Sequence, residues 1–343
     1  MTHLTKGTGL RLVPLAEVSS EDIAREINDF EVSRWLTHAP YPYHLADAEA
    51  FREANLDDPE VRAILGGDGF AGVVGTKRQL GYWLGRSHWG KGYGPEAARR
   101  MTALHFVSTG SDLLTSGYLD GNERSSKLLS RMGFQPDGED RLVPKALGKE
   151  TVLHKLILRR DAFWRGLGMP IRTERLALRP MGIEDAAALT RIVRHPDVAR
   201  MLFIFHEKWD EAEAFIRKWA YHGGLRFRLA IEVNGRFAGT IGVGDGAAPP
   251  IFYFLDPAFA GRGIASEAVA ALSSFVLKTF DVAALTAEVF TDNPASSHIL
   301  QKCGFVETGR GMRQSAARLE PAPVVLYRLE RDRRGLDAAT GGP

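Results

Sequence analysis

The feature that most constrains this chain is a strand, glycine loop and helix pattern that it carries twice. The first copy reads Tyr82-Trp83-Leu84, then Trp89-Gly90-Lys91-Gly92-Tyr93-Gly94-Pro95-Glu96-Ala97. The second reads Tyr253-Phe254-Leu255, then Ala260-Gly261-Arg262-Gly263-Ile264-Ala265-Ser266-Glu267-Ala268. An apolar run leads through alternate glycines, with one cation between them, into helical periodicity. Glycine lets such a loop turn tightly and lets a ligand approach the main chain. The unpaired amides and dipole of the helix that follows favour an anion, most often a phosphate. Each copy is therefore expected to cradle a pyrophosphate, with Lys91 or Arg262 adding charge.

The pattern excludes two familiar alternatives. No Gly-Lys-Ser/Thr closes either loop, so neither is a Walker loop. The third glycine of a dinucleotide-binding G-x-G-x-x-G is missing, its place taken by Ala97 in one copy and by Ser266 or Glu267 in the other. A glycine turn that only lets a helix pack on a sheet would explain one copy. Two copies at equivalent positions are harder to explain that way.

The repeat extends well past the loop. Gly92 and Gly263 stand 171 positions apart, as do Asn122 and Asn293, Ser125 and Ser296, and Phe134 and Phe305. Upstream, Phe70-Ala71-Gly72 matches Phe237-Ala238-Gly239 at an offset of 167. This is a tandem duplication of one unit of about 165 residues, not a solenoid of shorter period. The expected division is residues 1–160, a linker over 161–172, a second domain over 173–335 and a disordered tail over 336–343. Each half is long enough to bury its own core.

Within each unit the order of elements is the same. A short strand (Leu10 to Leu15; Leu176 to Met181) precedes a helix starting near Ser20 or Ile183. A second helix carries Ala-Glu-Ala-Phe after Asp47 or Asp210. A hairpin follows, turning at Gly66 to Gly69 or at Asn234-Gly235, the latter a strong hairpin signal. The central strand (Leu80 to Leu84; Ile251 to Leu255) enters the glycine loop and its helix. Then come a strand (Leu113 to Leu119; Leu285 to Phe290), an Asn, a short helix, Gly-Phe, and a last strand (Val152 to Leu158; Val324 to Leu329).

Charge and composition remove several function classes. A net charge of +2 is too small to indicate nucleic acid or an anionic membrane as partner. No apolar run reaches the roughly 18 residues of a membrane span, and Met1 to Gly9 lack a signal-peptide core. The single cysteine, Cys303, rules out an internal disulfide, fits a reducing compartment and reads as core filler. A cytoplasmic protein that binds no metal is expected.

The chain resembles the GNAT acetyltransferases, and within them the RimJ/RimL-like N-acetyltransferases. Gly81-Tyr82-Trp83-Leu84 with Trp89 to Ala97 matches their G-Y-W-L strand and W-G-K-G-Y loop. Pro95 stands where a small residue is more usual. Asn293-Pro294-Ala295-Ser296 with Lys302-Cys303-Gly304-Phe305 resembles their second signature, repeated by Asn122 to Ser125 with Met132-Gly133-Phe134. The resemblance covers about residues 8–158 and 173–330. It implies an α/β fold with a mixed sheet in each of two tandem acyl-CoA N-acyltransferase domains.

It also implies acetyl-CoA as co-substrate. Its pyrophosphate would lie on Gly90, Lys91, Gly92, Tyr93 and Gly94, or on Gly261, Arg262, Gly263, Ile264 and Ala265. The central-strand backbone at Leu84 or Leu255 would hold the pantetheine arm and polarise the thioester carbonyl. Asn122 or Asn293 would bond the pantetheine, and Ser125 or Ser296 would protonate the departing thiolate. An Asn followed by Ser at a strand end is equally a helix cap.

The chain departs from the family pattern at one point. The glutamate that many relatives carry just before the central strand is Gln79 in one unit and Pro250 in the other. Neither takes a proton, which favours an α-amine over a lysine side chain as acceptor. Glu207, Asp210, Asp245, Glu288, His206 and His222 are substitute bases in the second unit. His38, Tyr41, Tyr43 and His44 are candidates to line an acceptor pocket in the first. The fuller loop from Gly244 to Pro250, with its nearby acids, favours the second unit for chemistry. The expected partner is an amine, on a small molecule or a protein N-terminus. The expected state is a monomer with an internal pseudo-dimer. A CoA-binding or interaction module, or one inert half, is the alternative.

Overall fold

A computed structural model describes residues 8–202, 211–315, 318 and 320–331. The chain divides after Leu167 into two compact units. In the first, β1 (Arg11–Val13), β2 (Val61–Gly66), β3 (Gly69–Gly75) and β4 (Gly81–Leu84) form one antiparallel sheet in that order. A second antiparallel sheet runs β5 (Leu113–Leu119), β7 (Thr151–Arg159), β6 (Gln135–Leu142). The helices are α1 (Ser20–Ile27), α2 (Phe30–Ser33), α3 (Leu45–Glu53), α4 (Tyr93–Thr109), α5 (Glu123–Arg131) and α6 (Arg160–Gly166).

The second unit repeats this plan. Its first sheet is β8 (Ile171–Arg172), β9 (Ala177–Pro180), β10 (Phe227–Val233), β11 (Arg236–Val243) and β12 (Ile251–Leu255). The other runs β13 (Ala284–Phe290), β15 (Ala322–Glu330), β14 (Val306–Arg313). Its helices are α7 (Ala186–Val193), α8 (Pro196–Ala199), α9 (Ala212–Lys218), α10 (Ile264–Thr279) and α11 (Pro294–Lys302).

Local chemistry sets these elements. The Ser19 hydroxyl accepts from the Asp22 amide at 3.0 Å and caps α1, satisfying one of its orphan donors. Asn234 and Gly235 both have positive φ, at 48° and 72°, as a two-residue hairpin turn requires. In both units the third long strand bulges at a glycine. Gly72 (φ 155°) and Gly239 (φ 149°) lie so close to the next strand that a Cβ would sit 2.1 Å from the Trp83 carbonyl or 2.2 Å from that of Phe254. Only glycine fits there, and the bulge brings the central strand into place.

Two differences from the sequence expectation have physical causes. The edge strands β6 and β14 were not anticipated. They are exposed along nearly their whole length and so show no apolar alternation, while their backbones pair with β7 and β15. Residues 161–172, expected as linker, instead hold most of α6 and all of β8. Phe163 and Trp164 of α6 are buried against Phe106. The expected tail over 336–343 lies outside the described residues, as do His206, Glu207 and Asp210.

Candidate active site

In each unit the two sheets meet at a single parallel bridge, Leu80 with Ser116 and Pro250 with Thr286. Leu80 donates its amide to the Thr115 carbonyl at 2.8 Å, and the Ser116 hydroxyl donates to the Leu80 carbonyl at 2.8 Å. Beyond that bridge no ladder joins β4 to β5. Backbone groups of successive strand residues point to opposite edges. Gly85 donates to Ala71 on the β3 side, so Tyr82 and Leu84 present theirs to the gap. By the same alternation Tyr253 and Leu255 face the gap between β12 and β13, because Asp256 donates to Ala238. Each unit thus has a wedge with main-chain donors and acceptors along one side. In the first, the Leu84 carbonyl accepts from Trp89 Nε1 at 2.9 Å.

The wedge leads to the glycine loop. Gly90 and Gly92 have φ of 77° and 80°, and Gly261 and Gly263 have 72° and 75°. Nothing lies within 4 Å of where a Cβ on Gly90 or Gly261 would stand, so both loops are open to a ligand. Gly92 and Gly263 are the N-caps of α4 and α10, and neither provides a side-chain cap. The amides of Tyr93 and Gly94, and of Ile264, Ala265 and Ser266, therefore start these helices without a side-chain acceptor. Pro95 removes one such donor from the first loop.

The two loops are braced differently. Lys91 Nζ lies 2.8 Å from Asp68 in the β2–β3 turn, and the Tyr93 hydroxyl accepts from the Gly67 amide at 3.3 Å. In the second loop Arg175 donates to the Arg262 carbonyl at 2.8 Å, and Arg262 lies over the Phe259 ring at 5.9 Å. Behind both loops a carboxylate anchors the first turn. Glu96 accepts from the Thr8 amide and hydroxyl and pairs with Arg100. Glu267 accepts from Thr173 and Arg175. Burial would raise both acids, but these hydrogen bonds and cations outweigh it and hold each below its ordinary value.

Asn122 and Asn293 cap α5 and α11, accepting from the amides of Ser125 (3.2 Å) and Ser296 (3.1 Å). Each Oδ1 thus already accepts one bond within the fold. Each serine hydroxyl meets a tyrosine of the central strand: Tyr82 to Ser125 at 2.9 Å and Tyr253 to Ser296 at 2.8 Å. Burial pushes both phenols up to about 12, partly offset by the serine bond, so both stay protonated.

On the other side of β4 the first unit has a cavity of about 500 Å³. Ile23, Ile27, Phe51, Val61, Val73 and Trp83 supply apolar walls, and Gly75, Gly81 and Tyr82 also line it. Asp47, Lys77, Arg78 and Lys145 are its charged residues. His38 and Tyr43 border it, whereas Tyr41 and His44 do not. This cavity lies in the first unit, whereas the sequence reading favoured the second for chemistry.

The sequence profile of an acetyltransferase (GNAT) domain matches residues 10–135 and again 175–306. The chain belongs to the GNAT acetyltransferase family. It is 33% identical over 143 residues to the uncharacterized N-acetyltransferase p20 of Bacillus licheniformis, covering 41% of this chain and 72% of that one. It is 28% identical over 148 residues to the uncharacterized N-acetyltransferase YoaA of Bacillus subtilis, covering 40% and 84%. Among solved structures, Mycobacterium smegmatis RimJ in complex with CoA-disulfide is 24% identical, with a TM-score of 0.41 over 48% of this chain and 88% of that one.

Each GNAT unit brings its candidate residues to one place: the open loop at a helix N-terminus, the wedge backbone, and the Asn–Ser helix start. Sequence reading missed Tyr82 and Tyr253 as partners of the serines. The signal was available, since both tyrosines recur at the same offset as Ser125 and Ser296. Of the substitute bases, Glu288 is held by Arg313 at 2.6 and 2.7 Å, and the exposed Asp245 lies 3.7 Å from Arg226. Cys303 is half-buried with its thiol pushed up by burial, as befits packing and not attack. Among the described residues no group of three His, Cys, Asp or Glu is placed to hold a metal, and no helix is long and apolar enough to cross a membrane.

Proposed function

We propose that the chain is an acetyl-CoA-dependent N-acetyltransferase acting on a primary amine by direct transfer. The observation that carries this is the open wedge, whose strand edge has no ladder to β5 beyond the bridge and runs towards a helix N-terminus without a side-chain cap. Such an edge suits the amides of a pantetheine arm, and the helix amides suit its pyrophosphate. Lys91 adds a cation whose exposed partner, Asp68, can yield to a phosphate.

At the first unit the Leu84 and Tyr82 backbone holds the thioester end, and the cavity holds the amine on the far side of the strand. As the C–N bond forms and the C–S bond breaks, the Ser125 hydroxyl gives its proton to the leaving sulfur. It takes one back from Tyr82, which is recharged by solvent. Gln79 lines the cavity and cannot accept the proton the amine loses, so water takes it, a step that suits an amine of low basicity. The apolar walls, and a lining that carries Lys77, Arg78 and Lys145 but one carboxylate, Asp47, favour a monoamine with an apolar flank over a polycation.

Calorimetric titration with acetyl-CoA tests the reading. The wild-type chain should bind, and Gly92→Glu and Gly263→Glu, each checked for folding by circular dichroism, should each remove one site. A folded wild-type chain that binds no acetyl-CoA would refute the proposal.

A further inference from the structure

The register of the two sheets allows the units to be compared position by position. Across three strands of the first unit runs the row Val61, Gly75, Gly81, and the same row in the second is Arg228, Gly242, Phe252. The neighbouring row on that face is Ala63, Val73, Trp83 against Ala230, Thr240, Phe254. In the first unit Val61, Val73, Gly75, Gly81 and Trp83 border the cavity, and nothing lies within 4 Å of a Cβ placed on Gly81.

In the second unit the same ground is filled. A Cβ on Gly242 would stand 2.5 Å from both Arg228 Cγ and Phe252 Cε2, so these two side chains lie directly over it. The Arg228 guanidinium faces Phe252 at 4.1 Å, Phe215 at 5.3 Å, Trp219 at 5.6 Å and Phe254 at 5.8 Å. It donates to the Thr240 hydroxyl at 2.9 Å, while its Nε is buried without a partner. No carboxylate among the described residues reaches it. The rings supply the compensation that a buried cation needs. Burial pulls its pKa down to about 9, so the group stays charged at neutral pH.

We propose that Arg228, with Phe252 and Thr240, is a built-in occupant of the second unit's acceptor position, so that this unit binds acetyl-CoA without transferring from it. Three substitutions act together: Val61 becomes an arginine, Val73 its hydroxyl partner and Gly81 the ring that covers it. The wedge, the glycine loop and the Tyr253–Ser296 pair stay intact, so the cofactor half of the site is retained while the amine half is closed. The proposal rests on the acetyltransferase reading of the first unit.

The decisive variant moves the second unit's ring into the first. Gly81→Phe places a side chain into open space, away from the glycine loop. Acetyl-CoA binding is followed by calorimetry, and thiol release is measured with L-leucinamide, L-phenylalaninamide and spermidine as acceptors. Two acetyl-CoA sites should remain while turnover falls about 100-fold, because the cavity proposed to hold the amine is lost. Retention of about half the turnover would mean that the second unit transfers, and would overturn the proposal.

If the wild type turns over none of these amines, crystals soaked with L-phenylalaninamide decide separately. Density over Gly75 and Gly81 with none over Gly242 supports the occupant; density beside Arg228 over Gly242 refutes it. Failure of acetyl-CoA to bind at all would instead remove the transferase reading itself.

Discussion

Ser125→Ala separates chemistry from packing because the two effects differ in size. The Ser125 hydroxyl makes one neutral hydrogen bond, to the Tyr82 phenol at 2.9 Å, while its amide remains on Asn122. Losing the hydroxyl removes one bond and leaves a half-buried phenol to find water. That costs about 0.5–1.5 kcal/mol of folding stability. If the same hydroxyl protonates the leaving thiolate, its loss costs a factor of about 100 or more in rate, or about 2.7 kcal/mol of barrier. The serine does not touch the glycine loop, so the KM for acetyl-CoA should hardly move. Steady-state thiol release and urea unfolding on the same preparations give both quantities. Tyr82→Phe should slow turnover by about tenfold. The double variant should be no slower than Ser125→Ala alone, because groups that act as a unit are not additive. A Ser125→Ala enzyme within about twofold of wild type in kcat, with stability lowered as expected, would refute the acid role and leave Ser125 a structural partner of Tyr82.

Two further outcomes test the scaffold. Gly72→Ala should lose about 3 kcal/mol or more in urea unfolding, since its Cβ would meet the Trp83 carbonyl at 2.1 Å; Gly90→Ala, with open space and only a left-handed backbone to penalise, should lose about 1 kcal/mol. Glu96 and Glu267 are held below their ordinary carboxylate value in the folded state, so their stabilisation is complete above about pH 4.5 and is lost as pH falls through the folded values; Glu267→Gln should flatten the acid limb of stability against pH, and an unchanged limb would show that the Thr173 and Arg175 bonds contribute nothing.

Much of this protein is legible in its sequence because it rests on local chemistry. Alternate glycines followed by apolar residues at helical spacing specify a loop opening a helix wherever they occur. Asn234-Gly235 specifies a hairpin for the same reason, and Asn122 specifies a helix start. Duplication doubled each signal, which is why the glycine loops, the Asn–Ser pairs and the family itself could be read before any coordinate. What escaped was what local pattern does not encode. Strands β6 and β14 owe their form to pairing with β7 and β15, and their own side chains carry no alternation to announce it.

The site divides along the same line. The residues proposed to meet a cofactor through the main chain lie within one short stretch, so they could be named from the sequence. The wedge itself arises because β4 and β5 meet at one bridge and then cease to pair, which only the packed sheets decide. The difference between the units is also tertiary. Val61, Gly75 and Gly81 are scattered over three strands, as are Arg228, Gly242 and Phe252, and none is notable alone. Only antiparallel register puts each set in a row, one bordering an open cavity and the other closing around a buried cation.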